Sequence, residues 1–397
     1  MLKLRICKKN IKHESMQLKT IVKIGTVISV LLFCFAVGFY AFMRLETTGR
    51  SRDVNLFSLV PSNAVGVLES DHIQGVMEQA SMLNYHQELN GLHFPGLFDF
   101  FLSELDLYAK DSDHGFSNQL NHFLVSFHTP VNPWNQVIYF RMGNADEQML
   151  SDILQNYAAG HFLPKEETYR GRSIFVYPLS HEEFLAAYIE DAFFVVSYQK
   201  RLIEEVIDAQ LDGTSLSDDA LFSRIISRKK SADFLTLYAQ TPVMPFLNSG
   251  QPCWCEYEFH LNSDVVYLTG ETFGEDDSVL LKTTGDALQE VSVVNEPNLF
   301  ISSDKDSTSY YMNVAYDANE SGNRLLYNEC MANLSSEASF SMVVDMQEVV
   351  ETPERFQTYL CPFLLENAHL FQSFILSTQY SLNGNRPSHM WVFTYKY

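Results

Sequence analysis

Several short stretches of the chain approach known chemistry, and each stops short of it. His181-Glu182-Glu183-Phe184 opens like a zinc-protease helix, in which two histidines four residues apart bind the metal from one face. Position 185 is leucine, so the second ligand is missing. Serine three residues ahead of lysine occurs at Ser197–Lys200 and again at Ser227–Lys230. Lys282-Thr283-Thr284-Gly285 comes close to the lysine-threonine-glycine element of penicillin-recognising enzymes, but the serine-aspartate-asparagine element that completes such a site is absent. Asp304-Lys305-Asp306-Ser307-Thr308 sets oxygen ligands at alternate positions, as hard-cation loops do. It has Ala315 where a bidentate glutamate belongs and lacks the glycine at the sixth position. Glu275-Asp276-Asp277 reads as a solvated turn, and the twelve histidines are scattered without close metal-ligand spacing. A glycine-rich phosphate loop and a G-x-S-x-G nucleophile elbow are both absent. The sequence therefore assigns no catalytic, cofactor-binding or metal-ligating residue, and no cofactor is expected.

Two further groups carry weaker signals. Trp391, Phe393, Tyr395 and Tyr397 alternate along one strand and so share one sheet face. Aromatics dominate cores, so this stripe is read as core, with a stacking groove for a ligand as the alternative. Four cysteines fall in the large C-terminal body: Cys253, Cys255, Cys330 and Cys361. Cys253 and Cys255 bracket Trp254 in a strand, point to one face, and cannot easily bond each other at extended spacing. Two states stay open: buried free thiols, or a disulfide joining one of the pair to Cys330 or Cys361, or Cys330 to Cys361.

The elements that must carry these residues follow from periodicity. Strand patterns cover 64–70, 122–128, 135–142, 173–179, 186–189 and 192–198, with a hairpin turn at Glu190-Asp191. Helical spacing marks a helix from Asp71 to about Leu83, then Leu97–Ala109, Asp146–Ala159 and Lys200–Asp212, the last ended by Gly213. Beyond a basic cluster at Ser227-Arg228-Lys229-Lys230, strands are expected at 233–240, 255–261, 265–273, 298–302, 309–315 and 338–344, with a short helix begun by Thr241-Pro242. A long hairpin, 371–382 with 389–397, turns near Asn383-Gly384. The leads SNAVGVLES, SADFLTLYAQ and SEASFSMVVD echo one another, which fits either internal duplication or the ordinary grammar of α+β chains.

Charge places the chain. The 397 residues carry a net charge of −22, which argues against binding nucleic-acid backbones. Residues 1–23 hold seven basic residues against one acid, so the remainder carries −28. Between them, Ile24–Met43 runs twenty residues without a charge, about 30 Å as a helix and long enough to cross a bilayer. The basic flank puts the N-terminus in the cytoplasm by the positive-inside rule. A cleaved signal peptide would need a shorter apolar run; its best cleavage site, Ala36-Val37-Gly38, lies inside this one. The expectation is a basic tail (1–23), a transmembrane helix (24–43) and a tether (44–53) ahead of two extracytoplasmic α+β lobes, 54–230 and 231–397.

The stretch from Tyr169-Arg170-Gly171-Arg172 through YIEDAFFVVSYQKRLIEEVIDAQLDG resembles an uncharacterised family of membrane-anchored, exported bacterial proteins labelled only as a domain of unknown function. SADFLTLYAQTPVMPFL and WCEYEFHLNSDVVYLTGETF are similar to its second half. The resemblance implies an exported two-part α+β body and carries over no functional residue.

The fold expected is thus α+β: an N-terminal transmembrane helix, then a two-lobed body of mostly antiparallel sheets, each with one face covered by helices. The expected function is a non-enzymatic interaction, scaffold or regulatory module of the bacterial envelope, single-pass in the cytoplasmic membrane with its body in the periplasm. Its expected partner is an envelope protein. The alternatives are an envelope hydrolase assembled from distant segments and a glycan- or lipid-binding module.

Overall fold

Strict alternation in the strands of this chain sends successive side chains to opposite faces of a sheet, and both sets are largely apolar. The computed structural model accordingly buries both faces of one sheet. It describes residues 54–396 apart from most of 74–119, 304–321, and shorter stretches within 132–133, 144–145, 158–162, 180–183, 229–233, 241–249 and 297. The predicted basic tail, transmembrane helix and tether lie outside the described residues, as do the 304–308 loop, the 309–315 strand and most of the 71–83 helix.

The strands are β1 (Gly66–Ser70), β2 (Phe123–Phe127), β3 (Gln136–Arg141), β4 (Lys165–Tyr169), β5 (Arg172–Pro178), β6 (Phe184–Glu190), β7 (Phe193–Ser197), β8 (Thr236–Ala239), β9 (Cys253–Leu261), β10 (Val265–Gly274), β11 (Val294–Glu296), β12 (Leu299–Ser302), β13 (Phe340–Asp345), β14 (Phe374–Ser381) and β15 (Ser388–Tyr395). All fifteen join in one antiparallel sheet, ordered β11-β12-β13-β14-β15-β10-β9-β8-β1-β2-β3-β7-β6-β5-β4. The six helices used below are α1 (Asp146–Tyr157), α2 (Lys200–Asp212), α3 (Ala220–Ile226), α4 (Asp277–Gln289), α5 (Gly322–Ala332) and α6 (Met346–Glu351).

This corrects the expected two lobes. The boundary near residue 230 falls just before β8, and β8 pairs with β1, Gly66 opposite Ala239 and Glu69 opposite Thr236. The halves are therefore one hydrogen-bonded sheet, and Asp53–Tyr397 is a single compact unit. Nor does each half keep one bare face. On the face that carries Val67, Tyr139 and Tyr238 (the front), α2 and α3 supply Leu202, Val206 and Phe222 to a core that also holds Trp254 and Phe273. On the opposite (back) face, α1 packs Leu150 and Leu154 against Phe140 and Phe194, and α6 packs Met346 and Val349 among Trp391 and Phe393. Farther along the front, α5 covers Phe300, Val343 and Ile375 with Tyr327, Cys330 and Met331. No helix among the described residues is long and apolar enough to cross a membrane, so the expected N-terminal span has no counterpart in the described fold.

Read outward from the β1/β8 seam, the halves share an order. One runs β1, β2, β3 and then β7 back out to β4; the other runs β8, β9, β10 and then β15 back out to β11. In both, a helix on the back face follows the third strand: α1 after β3 and α4 after β10. The echo between SNAVGVLES and SADFLTLYAQ thus falls on the two strands that occupy equivalent places.

The local signals act as their chemistry requires. Gly213 caps α2 in the left-handed region at φ 63°. Arg170 and Gly171, at φ 48° and 80°, make the two-residue turn between β4 and β5. The stripe Trp391, Phe393 and Tyr395 belongs to the back core.

Candidate functional site

Three places in the body bring polar chemistry together. The first is the middle of the front face, between the ground covered by α3 and by α5. Here β9, β10 and β15 are sealed on the back by Cys255, Tyr257 and Trp391, while Glu258, His260, Tyr267, Thr269 and Val392 on the front remain half-exposed or exposed. Register lines them up: Glu258 stands between Thr236 and Thr269, and Tyr267 stands between His260 and Val392. His260 reaches Thr269 Oγ1 at 3.4 Å. The row ends at Phe273, whose ring is approached by two guanidinium groups, Arg386 at 4.9 Å and Arg228 at 5.5 Å. Those cations are balanced by carboxylates: Arg386 meets Asp277 at 2.7 Å and Glu271 at 3.6 Å, and Arg228 meets Glu271 at 3.9 Å. Cation–π contact and ion pairs together fix this end of the strip.

The second is a cleft of about 460 Å³ at the start of β9, lined by Asp219, Arg224, Gln240, Cys253, Trp254 and Glu275. Its thiol is conditioned by its neighbour. A hydrogen bond from the Cys255 thiol lowers the pKa of Cys253, and the same contact together with burial raises that of Cys255. Cys255 also lies 3.5 Å from Thr272 Oγ1. Cys253, Cys255, Cys330 and Cys361 are all free thiols, so of the two states left open by the sequence the structure takes the reduced one. Cys330 is placed by α5 within 3.8 Å of Thr394 Oγ1, away from the other three.

The third is a constellation that sequence reasoning missed. Glu69 lies in β1 and Asp71 one residue beyond its end, two positions apart. His122 immediately precedes β2, and the register Ser70 opposite Phe123 carries it to Asp71. One ligand atom from each of Glu69, Asp71 and His122 lies within 4.8 Å of the others, and His122 Nδ1 contacts Asp71 Oδ1 directly. The only advance signal was an acid inside an apolar strand, AVGVLES; the histidine comes 51 positions after Asp71, beyond the reach of any spacing rule.

The motifs screened in the sequence do not converge. Lys282-Thr283-Thr284-Gly285 lies within α4, where Thr284 is buried. Ser197 ends β7 and donates to the Gln136 carbonyl at 2.6 Å. Asp276 caps α4 by accepting from Ser278 and Val279. His181–Glu183 lie outside the described residues. No protein-family model, no curated protein and no solved structure matches the chain.

Proposed function

We propose that this chain is a membrane-anchored interaction module of the bacterial envelope, non-enzymatic, which presents residues 54–397 outside the cytoplasmic membrane to a protein partner. The observation that carries the reading is the one-sided accessibility of strands deep inside a sheet. β9, β10 and β15 have neighbours on both sides and a packed back face, yet their front face keeps Tyr267 38% exposed among Glu258, His260 and Thr269. A rigid strip of acid, hydroxyl and aromatic groups suits recognition of a partner offering basic and apolar side chains. Anchoring is supported by the uncharged run 24–43 between a +6 tail and a −28 body.

Two experiments test the proposal. A photoreactive residue in place of Tyr267, in intact cells, is expected to give one defined cross-linked species that the same residue at Val293 does not give. Identical patterns at both positions would remove the strip from the proposal. Protease added outside the cytoplasmic membrane is expected to digest the body and spare residues 1–23. A protected C-terminus, or a mature N-terminus at or beyond Gly38, would overturn the anchoring.

A further inference from the structure

We propose that Glu69, Asp71 and His122 bind a first-row divalent cation of the manganese-to-zinc class, at the strand ends where the two halves of the sheet meet. The convergence is dictated by backbone geometry. Residues two apart in a strand share a face, and residues directly opposite across an antiparallel pair have their Cβ atoms about 4.5–5.5 Å apart. Two carboxylates and one imidazole are thereby delivered to one spot by the ends of two paired strands, with Glu69 inside β1, Asp71 one residue beyond it and His122 one residue ahead of β2, a placement that holds ligand geometry better than a free loop would. An ion with bonds of about 2.0–2.2 Å separates its ligand atoms by up to about 4.4 Å. The three ligand atoms here lie within 4.8 Å of one another, a separation that side-chain adjustment brings to that of one coordination sphere.

A second observation points to a ligand independently. Thr236 is fully buried, stands directly opposite Glu69 on the same face, and its hydroxyl has no hydrogen-bond partner. A buried hydroxyl left without a partner costs about 1–3 kcal/mol, and a cation or its bound water beside Glu69 would satisfy it. The surroundings are those of a supported site. Tyr238 donates its hydroxyl to Glu69 Oε2 at 3.2 Å, which orients the ligand from behind. Ser70 donates to the Phe234 carbonyl at 2.6 Å and accepts from the His72 amide at 3.0 Å, fixing the turn that carries Asp71. Exposure rises from Glu69, 5% exposed, through the His122 side chain at 13% to the Asp71 side chain at 32%. An ion would enter past Asp71, and water would complete its coordination there.

The donor set selects the cation. Calcium takes six to eight oxygens and magnesium keeps most of its waters, whereas imidazole with carboxylates suits the first-row divalent ions. Because Glu69 belongs to β1 and Thr236 to β8, an ion here also braces the seam. This inference is independent of the partner-binding strip.

The test uses the full chain, stripped with a chelator and dialysed against manganese or zinc chloride, with metal counted by mass spectrometry. One equivalent per chain is expected, undisturbed by equal calcium, with affinity falling at least about 10-fold in Asp71→Asn. In case that variant does not fold, paramagnetic resonance of manganese on the unaltered chain is expected to show coupling to a single imidazole nitrogen. Less than one equivalent, undiminished binding in Asp71→Asn, or a spectrum without nitrogen coupling (an adventitious ion only) would overturn the site.

Discussion

Replacing Gly270 by alanine tests how the central strands are held together. Gly270 lies on the back face of β10, flanked by Tyr257 of β9 and His389 of β15. The ladder between β9 and β10 skips this point, resuming at Thr269 opposite Glu258 and at Thr272 opposite Cys255. The missing side chain lets its neighbours meet: the rings of Tyr257 and His389 lie 4.4 Å apart across the glycine, and His389 Nε2 donates to the Glu256 carbonyl at 2.9 Å. A Cβ at position 270 would lie 1.9 Å from that carbonyl oxygen and 3.1 Å from His389 Nε2. Carbon and oxygen tolerate an approach of about 3.3 Å, so β9 and β10 must part by about 1.4 Å between two stretches of paired ladder.

The magnitude follows from two costs. Overpacking a core costs about 1–3 kcal/mol. Displacing the imidazole leaves a buried N–H and a carbonyl unpaired, about 1–3 kcal/mol more. The expected loss is about 2–6 kcal/mol, a large part of a total stability of about 5–15 kcal/mol. Urea unfolding followed by tryptophan fluorescence reads it as a much lower midpoint, with Trp254 and Trp391 close to the lesion. Gly285→Ala is the matched control: it lies inside α4, its new methyl would meet Leu382 Cδ1 at 3.4 Å, and removing a helix glycine gains about 0.5–1 kcal/mol. Equal midpoints for the two variants would refute the reasoning.

Acid should weaken the fold before most carboxylates titrate. Burial lowers the pKa of His389 from 6.5 to about 4, opposed by its bond to the Glu256 carbonyl; burial likewise takes His128 to about 4, with Glu205 raising it and Arg201 lowering it. Between these values the unfolded chain binds protons that the folded chain refuses, so stability falls as pH drops from about 6.5 to 4, by about 3 kcal/mol for His389 alone. Urea midpoints that stay level from pH 7.5 to 4.5 would contradict this. Alkylation of the native body is expected to modify half-buried Cys361 first and Cys253 next, leaving Cys255 and Cys330 until unfolding. Peptide mapping without reductant should find all four thiols free, and a disulfide among them would refute the structure's arrangement.

What the sequence made legible was local. The hairpins β6–β7, β9–β10 and β14–β15 announce themselves through alternation on either side of a polar turn, and α2 through its apolar spacing and Gly213. β4, with the sequence KEETY, carries no such signal: lysine and glutamate are depleted in strands, and as an edge its outer side faces water. Only its pairing with β5 through Arg170-Gly171 makes it a strand. The insertion of β7 beside β3, and of β15 beside β10, joins segments whose separation no local pattern records. The Glu69–Asp71–His122 constellation was hidden for the same reason, since register between β1 and β2 creates it.

The two-lobe expectation failed on one strand pair, and the physics of edges explains why the halves must share a sheet. Strands β1 and β8 would each end their half with a row of unpaired backbone groups, the feature that drives sheets to pair with other chains. Joined through Gly66–Glu69 and Thr236–Ala239, each supplies what the other lacks. The seam is then roofed by rings drawn from both sides of the boundary. Phe57, from the start of the body, lies 5.3 Å from Phe222 of α3, which lies 5.4 Å from Tyr238 of β8 and 4.8 Å from Trp254 of β9. Such aromatic contacts are worth about 0.5–1.5 kcal/mol each beyond the area they bury. Phe222 is thus the residue through which the N-terminal half grips the C-terminal half. It sits in a helix that sequence reasoning placed wholly within one lobe. A boundary drawn from composition near residue 230 cuts between Phe222 and the two strands it holds, so there is no place near it where the chain could be divided without opening both an edge and a core.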